Sequence, residues 1–267
     1  MRHQPRKRFG QNFLNNQYVI ESIVSVIAPR RDDLMVEIGP GLGALTQPLS
    51  RAIEQLHVIE LDRDIVARLR ETYANGNIII HEGDALKFDF TSLGKNLRVV
   101  GNLPYNISTP LLFHLASQIE CVCDIHVMLQ KEVVERMVAA PGTPEYGRLS
   151  VTLQYRFEME KVLDVGPEAF HPQPKVNSAV VRMLPRTQHD PAALDEKLFA
   201  KVVMAAFSQR RKTMRNTMKG LLDLADFEAL RIDAGARAET LAVGDFVRIA
   251  NRFTSLKKHK STKMNTD

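Results

Sequence analysis

The chain has 267 residues, of which 44% are hydrophobic and 25% are charged. These values are typical of a globular protein with one large domain, or with one large and one small domain. No apolar run approaches the roughly 20 residues of a membrane span, and the basic N-terminus lacks the apolar segment of a signal peptide. We therefore expect neither membrane insertion nor secretion, and predict a cytoplasmic protein.

Charge is unevenly distributed along the chain, although the formal net charge is only +5. Residues 1–13 carry four basic side chains and no acidic one, and residues 186–267 have a net charge of +6. The stretch between them, residues 14–185, has a net charge of −5. An acidic body with basic ends favours contacts with a polyanion such as nucleic acid. Solubility and terminal disorder explain the basic tail at 257–260 about equally well.

Two cysteines, Cys121 and Cys123, lie in one apolar run. Two positions apart on a strand, they would share a face and could not easily form a disulfide. No Cys-x-x-Cys or histidine spacing typical of a zinc site accompanies them. We therefore expect reduced, structural cysteines and no bound metal.

Predicted strands and helices alternate from residue 34 to residue 139. The strands are predicted at 34–38, 55–61, 78–81, 97–100 and 122–129, and the helices that alternate with them at 44–52, 63–73, 109–118 and 131–139. One further helix is predicted before the first strand, at 17–28. This alternation predicts an α/β protein with a doubly wound, mainly parallel sheet.

The pattern changes after residue 139. It predicts a loop at 140–147, a helix at 148–156, strands at 160–165 and 179–184, and then only helices, near 192–206, 210–222, 226–232 and 244–252. We therefore predict a large α/β domain over residues 1–188 and a small, basic, all-helical domain over residues 189–267.

A glycine-rich loop, Gly39-Pro40-Gly41-Leu42-Gly43, follows the first strand of the alternating region. Glycines at such a turn allow the backbone to approach a ligand closely. Glu60 stands 21 residues after Gly39, where dinucleotide-binding folds place the carboxylate that binds a ribose. The pattern by itself fits NAD as well as S-adenosylmethionine, or a turn without a ligand. Glu37 before the loop and Gly43 within it favour S-adenosylmethionine.

Two further polar residues follow the third and fourth strands. Asp84 can accept a hydrogen bond from the adenine amino group of such a cofactor, or can simply form a turn. Asn102, in Gly101-Asn102-Leu103-Pro104-Tyr105, can accept from an exocyclic amino group together with a neighbouring carbonyl, and Tyr105 offers a flat face for a base. Because the carboxyl ends of parallel strands meet at one edge of a sheet, we expect these residues to line one crevice.

Seven stretches, in this order, resemble motifs of the ribosomal RNA adenine N6,N6-dimethyltransferase family, and in particular of its bacterial small-subunit members. They are residues 10–14, 36–43, 60–62, 83–85, 101–108, 170–176 and 207–212. The resemblance covers essentially the whole chain. It implies a Rossmann-like methyltransferase sheet, S-adenosylmethionine as cofactor and S-adenosylhomocysteine as product. It also implies dimethylation of two adjacent adenines in a hairpin loop near the 3′ end of 16S rRNA, during ribosome assembly.

The resemblance implies cofactor-binding roles for five residues besides Asn102. Asn12 and Leu14 would close over the methionine end of the cofactor, and Gly39 would contact it through the backbone. Glu60 would bind the ribose hydroxyls, and Asp84 would bind the adenine amino group.

The resemblance also implies catalytic roles for Asn102, Leu103, Pro104, Tyr105 and Phe170. Asn102 would touch both cofactor and target, and Phe170 would stack on the target adenine opposite Tyr105. The Asn102 side chain and the Leu103 or Pro104 carbonyl would hold the two amino hydrogens, so that the nitrogen lone pair faces the sulfonium methyl group. Direct in-line transfer would follow, with positioning and electrostatics supplying most of the acceleration.

Four basic residues, Arg210, Arg211, Lys212 and Arg215, are predicted to lie along one helix and to contact the RNA backbone. An ordinary solvated helix face is the alternative. We favour RNA because the basic ends flank an acidic body. The small ribosomal subunit with its 16S rRNA is therefore the expected partner of a monomeric enzyme.

Other functions remain open on the sequence. One is a ribosome-assembly binding factor for which methylation is secondary. The others are a large-subunit rRNA dimethyltransferase and a DNA adenine N6-methyltransferase. An NAD oxidoreductase is least favoured, because no acid or base suited to hydride transfer accompanies the glycine loop.

Overall fold

A computed structural model describes residues 12–74, 76–209 and 211–264, with side chains up to residue 255. Arg210 and the basic N-terminal residues lie outside this range, as do the side chains of the 257–260 tail. In chain order the strands are β1 (Phe13–Leu14), β2 (Met35–Ile38), β3 (Leu56–Glu60), β4 (Ile78–Glu82), β5 (Leu97–Asn102), β6 (Val122–Gln130), β7 (Phe157–Val165), β8 (Phe170–His171) and β9 (Ser178–Pro185). The helices are α1 (Gln17–Ile27), α2 (Thr46–Ala52), α3 (Arg63–Thr72), α4 (Ser108–Ser117), α5 (Lys131–Val138), α6 (Arg148–Arg156), α7 (Glu196–Ala206), α8 (Met214–Thr217), α9 (Leu224–Leu230) and α10 (Val243–Met264).

Seven of the described strands form one sheet in the order β4-β3-β2-β5-β6-β9-β7. The strands from β4 to β6 pair in parallel, and β9 pairs with β6 in the antiparallel direction. The strand order reverses at β2, which lies between β3 and β5. This reversal is the topological switch point at which open α/β sheets bind ligands. The predicted doubly wound α/β fold is confirmed.

Strands β2 and β5 approach each other closely at the end where the predicted site residues lie. A Cβ atom at Gly101 would stand 2.5 Å from the Ile38 carbonyl oxygen, closer than such atoms approach in proteins. Glycine at this position therefore lets the end of β5 lie directly beside the glycine loop that follows β2.

A partly buried ion network holds α1 to the opposite end of these strands. Arg98 on β5 lies 2.5 Å from an Asp33 oxygen and 2.9 Å from an Asp124 oxygen, and it donates to the Ile27 carbonyl at 2.6 Å. Because the Arg98 guanidinium has carboxylate and carbonyl partners on three segments, it fixes the start of β5 relative to α1.

The described chain divides into two compact units. The first comprises the residues up to Glu135 together with Glu158–Pro185, and the second comprises Arg136–Phe157 together with the residues from Arg186 onward. Within the second unit, Tyr146 and Tyr155 belong to the same apolar core as the C-terminal helices. The domain boundary predicted after residue 188 stays a prediction. Among the described residues, no helix combines the length and the apolar composition needed to cross a membrane.

The structure differs from the single helix that the sequence predicts at 210–222. Helix α8 has only four residues, and the backbone at Thr213 pairs with Arg237 in an isolated antiparallel bridge. Because this long-range pairing holds Thr213 in an extended conformation, the helix begins only after it. Arg211 and Lys212 therefore precede α8, and the prediction that these cations lie along one helix was wrong.

The two cysteines also differ from expectation. Cys121 is buried in a short 3-10 turn, and β6 begins only at Val122. Cys123 is exposed on β6. Because the strand does not include Cys121, the prediction that both side chains share one face was wrong.

Candidate active site

A cavity of about 350 Å³ lies at the carboxyl ends of β2, β3, β4 and β5, within the first unit. It is lined by residues 12–14, 37–42, 44–45, 59–61, 65, 83–85 and 102–107. Its volume falls within the range of roughly 300–1,000 Å³ that is common for small-molecule sites. The crevice expected from the strand ends is therefore present.

The cavity brings together nine residues to which the sequence assigned a role. They are Asn12, Leu14, Gly39, Glu60, Asp84, Asn102, Leu103, Pro104 and Tyr105. They come from five separate segments, which shows why no single motif could have defined the site. Their individual roles stay predictions.

Phe170 does not belong to the cavity lining. It is only 4% exposed and packs in the apolar core of the first unit, where its strand partner in the β1–β8 pair is Leu14. Stacking of Phe170 on a target base therefore stays a prediction, and it requires a change from the arrangement described here.

The glycine loop wraps one wall of the cavity with three left-handed residues: Gly39, Gly41 and Gly43 have φ values of +68°, +54° and +91°. A Cβ atom at Gly41 would stand 3.0 Å from the Phe13 ring, so glycine lets the N-terminal segment lie against the loop. The Gly39 N–H donates to the Ile59 carbonyl at 2.9 Å. The Gly39 N–H group is therefore already used within the protein.

Glu60 ends β3 and is 9% exposed. Its Oε1 atom accepts hydrogen bonds from the N–H groups of Leu61 and Asp62, both at 2.8 Å. These donors, together with a backbone hydrogen bond from Gly41, fix the direction of the carboxylate and leave part of its acceptor capacity for a ligand. Burial raises the pKa of Glu60 above its ordinary value, against the lowering effect of the backbone hydrogen bonds.

Glu37, on β2, is a second buried carboxylic acid of the cavity and is 2% exposed. The Thr46 hydroxyl donates to its Oε2 atom at 2.6 Å. Burial raises the pKa of Glu37 to about 7, and the negative charge of Glu60 adds to this effect. The protonation state of Glu37 therefore changes close to neutral pH.

Asp84 follows β4 and is half-buried. Its Oδ1 atom accepts from the Leu86 N–H at 3.0 Å, and its carbonyl accepts from the Lys87 N–H at 2.9 Å. The residue therefore shapes the turn after β4. The same bonds direct the carboxylate and leave its Oδ2 atom as the acceptor for a ligand.

The Asn102 amide has a defined orientation at the end of β5. Its Nδ2 atom donates to the Asn12 carbonyl at 3.1 Å. Because the donor branch of the amide faces that carbonyl, the Oδ1 branch is the one available to accept from a ligand. The cavity therefore presents an oriented acceptor at the position where the sequence predicts one.

The two neighbouring carbonyls differ in their partners. The Pro104 carbonyl accepts from the Ile107 N–H at 3.2 Å and from the Ser108 hydroxyl at 3.0 Å, so its lone pairs serve the start of α4. The Leu103 carbonyl accepts no hydrogen bond from the described residues. Of the two alternatives left open by the sequence, the Leu103 carbonyl is the better second acceptor.

Tyr105 has a partner that sequence reasoning missed. Its hydroxyl lies 2.7 Å from the hydroxyl of Ser178, the fully buried first residue of β9. Burial raises the pKa of Tyr105, and the Ser178 hydrogen bond opposes this effect to a smaller extent. A serine that begins a strand carries no sequence signal for such a contact.

Comparison with known proteins decides the family. A family model described as ribosomal RNA adenine dimethylase matches residues 2–255. The chain belongs to this family. The resemblance stated from the sequence motifs is thereby confirmed, and the chain is an rRNA adenine dimethyltransferase.

Relatives and solved structures agree with the ribosomal RNA adenine dimethylase assignment. The chain is 59% identical over 257 residues to ribosomal RNA small subunit methyltransferase A of Nitrosospira multiformis, covering 96% of this chain and 99% of the relative. A dimethyladenosine transferase from Plasmodium falciparum superposes with a TM-score of 0.80 at 26% identity, covering 91% of this chain and 98% of that one. The 23S rRNA methyltransferase ErmE superposes with a TM-score of 0.71 at 24% identity, over 91% of this chain and 100% of that one, and shows a shared fold.

The basic residues that are predicted to contact RNA belong to the second unit of this ribosomal RNA adenine dimethylase. Arg211, Lys212 and Arg215 are exposed, and none forms an ion pair with a described residue. The backbone N–H of Arg215 donates to the Ala234 carbonyl at 2.9 Å, which holds the segment in place. Three exposed cations on a fixed backbone suit contact with phosphates.

Proposed function

We propose that the protein transfers methyl groups from S-adenosylmethionine to N6 of two adjacent adenines in a hairpin loop near the 3′ end of 16S rRNA, during assembly of the small subunit. One structural observation carries the proposal. The turn after β5, with the acceptors of Asn102 and Leu103, opens into the same cavity as the carboxylates of Glu60 and Asp84. The 59% identity to a small-subunit methyltransferase supports the choice of substrate.

The acceptors of the cavity suit this cofactor. Glu60 presents free carboxylate lone pairs for the ribose hydroxyls, and Asp84 presents an acceptor for the adenine amino group. Gly39 lacks a side chain and allows close approach of the backbone, and Asn12 with Leu14 covers the methionine end. The buried acidic groups also attract the positive charges of the sulfonium and ammonium groups. S-adenosylmethionine supplies an electrophilic methyl group when bound.

The target end of the cavity supplies positioning. The N6 lone pair of adenine is conjugated with the ring and is a poor nucleophile. In the first transfer the Asn102 Oδ1 atom and the Leu103 carbonyl accept the two amino hydrogens, which favours a pyramidal nitrogen with its lone pair directed at the methyl group. One hydrogen leaves as a proton once the N–C bond has formed, and in the second transfer one of the two acceptors holds the hydrogen that remains. Pro104 restricts Leu103 to an extended conformation and so helps aim that carbonyl. The protein thus acts through orientation and fixed dipoles, and the transfer requires no covalent intermediate.

Tyr105 provides the face on which the target adenine stacks, and Phe170 closes on the opposite face. A base held in this way has left its own stack, which an rRNA loop permits at small energetic cost. A Phe170→Leu protein keeps an apolar core residue but loses the ring. We expect it to bind cofactor normally and to methylate more slowly. An unchanged methylation rate would show that Phe170 does not stack on the target base.

The exposed cations Arg211, Lys212 and Arg215 contact the RNA backbone, and Arg210 is expected to act with them. The partner is the small ribosomal subunit, to which the enzyme binds as a monomer. The reaction takes place in the cytoplasm, where that substrate is assembled. The proposed methyl transfer needs no metal ion.

A second function is favoured by the same exposed cations. They suit a ribosome-assembly factor that binds immature subunits whether or not it methylates them. A Glu60→Gln protein tests this, because it keeps the basic segment and weakens cofactor binding. Loss of subunit binding in this variant would contradict the second function.

The experiment that tests the main proposal uses radiolabelled S-adenosylmethionine with small subunits that lack the modification. After digestion, we expect label in N6,N6-dimethyladenosine at two adjacent adenines of the small-subunit rRNA. Large subunits and duplex DNA, offered in parallel, should remain unlabelled. Label confined to either of these two substrates would instead support one of the alternative methyltransferases, and unlabelled small subunits would contradict the proposal.

A further inference from the structure

The hydroxyl pair of Tyr105 and Ser178 joins the turn after β5 to the start of β9. Tyr105 lines the cavity, whereas Ser178 is 0% exposed and has no access to a ligand. The contact of 2.7 Å is a strong hydrogen bond for two hydroxyl groups. Its effect on a ligand is therefore exerted through the Tyr105 ring.

Ser178 is attached to the sheet, which makes it a rigid anchor. It pairs with Gln130 in the antiparallel β6–β9 register. The preceding residue, Asn177, accepts through its carbonyl from the Lys131 N–H at 2.9 Å. Tyr105, by contrast, stands in a turn between β5 and α4. A turn residue whose distal atom is held by a strand residue loses the freedom to swing its ring.

The stretch of chain that leads into β9 also contains Phe170, the other predicted wall of the base site. Phe170 on β8 stands eight residues before Ser178, in the segment that leads into β9. Tyr105 is the opposite wall. A bond from the Tyr105 hydroxyl to Ser178 therefore holds the tyrosine ring in a set position relative to the start of β9.

We infer that Ser178 is a positioning residue for methyl transfer: its hydroxyl holds the Tyr105 ring in the orientation against which the target adenine stacks. This inference rests on the proposed function and adds a residue outside the cavity to it.

The test compares Ser178→Ala, Tyr105→Phe and the double variant in single-turnover transfer to under-methylated small subunits. Each single change removes the same hydrogen bond while keeping the aromatic ring, so we expect each to slow transfer about tenfold. The double variant should be no slower than the slower single variant, because both changes act through one bond. Cofactor affinity should remain at the wild-type value throughout.

The outcomes separate a positioning role from a purely structural one. A Ser178→Ala protein that transfers methyl groups at the wild-type rate overturns the inference, as does a double variant whose losses multiply. If Ser178→Ala fails to fold, Tyr105→Phe alone decides, since it breaks the bond from the partly exposed side. An unchanged rate in that variant overturns the inference. Failure of the wild-type protein to methylate small subunits would instead overturn the proposed function.

Discussion

In the cavity of the first unit, hydrogen bonds within the protein set the directions of the polar groups. A backbone carbonyl orients the Asn102 amide, and two backbone N–H groups orient the Glu60 carboxylate. In the basic segment of the second unit, defined here as Arg211, Lys212 and Arg215, the side chains are exposed and form no ion pair with the described residues. The cavity therefore presents polar groups in fixed directions, whereas the basic segment presents exposed positive charges.

Because of this difference, amino-acid substitutions in the two regions should have different effects. A group whose value lies in its direction is lost almost completely when its atom is removed. A cation that meets a phosphate contributes through Coulomb attraction and counterion release, and its neighbours partly replace it. Substitutions in the cavity should therefore affect the chemical step or cofactor binding strongly. Substitutions in the basic segment should affect RNA binding moderately and in a salt-dependent way.

The largest effect is expected for Asn102→Ala. It removes the oriented acceptor for the amino group, and we expect kcat to fall roughly 100- to 1,000-fold. Steady-state methylation of under-methylated small subunits measures the loss. Asn106→Ala changes an exposed residue of the same turn that lines the cavity but has no proposed contact with cofactor or target; it is the matched control and should keep most activity. Equal losses in both variants would show that disturbance of the turn, rather than the amide, is responsible.

Glu60→Gln should have the next largest effect. It removes a charged acceptor of the ribose hydroxyls while an amide oxygen still accepts from the backbone, so cofactor affinity should fall roughly 10- to 100-fold. Calorimetric titration with S-adenosylhomocysteine measures this change. Glu54→Gln, which alters an exposed ion-paired carboxylate, should bind normally. Wild-type affinity in the Glu60 variant would show that the ribose is bound elsewhere.

Single alanine substitutions in the basic segment should have smaller effects. Each should weaken binding to small subunits roughly three- to tenfold at low salt and reduce the slope of log affinity against log salt by about one. Binding measured at several salt concentrations gives both values. Lys197→Ala changes another exposed cation of the second unit and serves as control. A loss that does not depend on salt would contradict an electrostatic role.

The smallest effect at neutral pH is expected for Glu37→Gln. The pKa of Glu37 is raised to about 7, and a bound cation favours its ionised form, so wild-type cofactor affinity should rise with pH through about 7. The variant should bind as the wild type does at pH 6, about twofold more weakly at pH 7 and several-fold more weakly at pH 8.

Stability without ligand should change with pH in the opposite direction. The folded pKa of Glu37 lies above its ordinary value of 4.5, so its stabilising contribution is complete below that value and is lost as the pH rises towards about 7. Thermal unfolding of wild type and Glu37→Gln measures this. Parallel pH profiles for the two proteins would contradict the assignment.

Much of the cavity was predictable, because four of the predicted residues lie at or just after the ends of successive strands in the alternating pattern. Parallel strands place their carboxyl ends on one edge, so the order Gly39, Glu60, Asp84, Asn102 in the sequence predicts neighbours in space. The choice between the Leu103 and Pro104 carbonyls was not predictable. It depends on which carbonyl the first turn of α4 uses.

The remaining departures depend on long-range pairing. The backbone bridge between Thr213 and Arg237 prevents the predicted helix, and no local pattern announces it. The Ser178 contact joins residues 73 positions apart and involves an ordinary serine. The role of Phe170 was predicted only from the family resemblance. Its burial in the core reflects pairing of β8 with the N-terminal β1.

The difference in role between the cavity and the basic segment is tested most directly by single-turnover methyl transfer. Enzyme and S-adenosylmethionine are supplied in saturating excess over under-methylated small subunits. Under these conditions a variant with all three basic-segment residues changed to alanine should reach the wild-type rate, because weak binding is overcome. Asn102→Ala should remain roughly 100-fold slower or more, because the chemical step itself is impaired. A basic-segment variant that stays slow at saturation, or an Asn102→Ala protein that reaches the wild-type rate, would contradict the account.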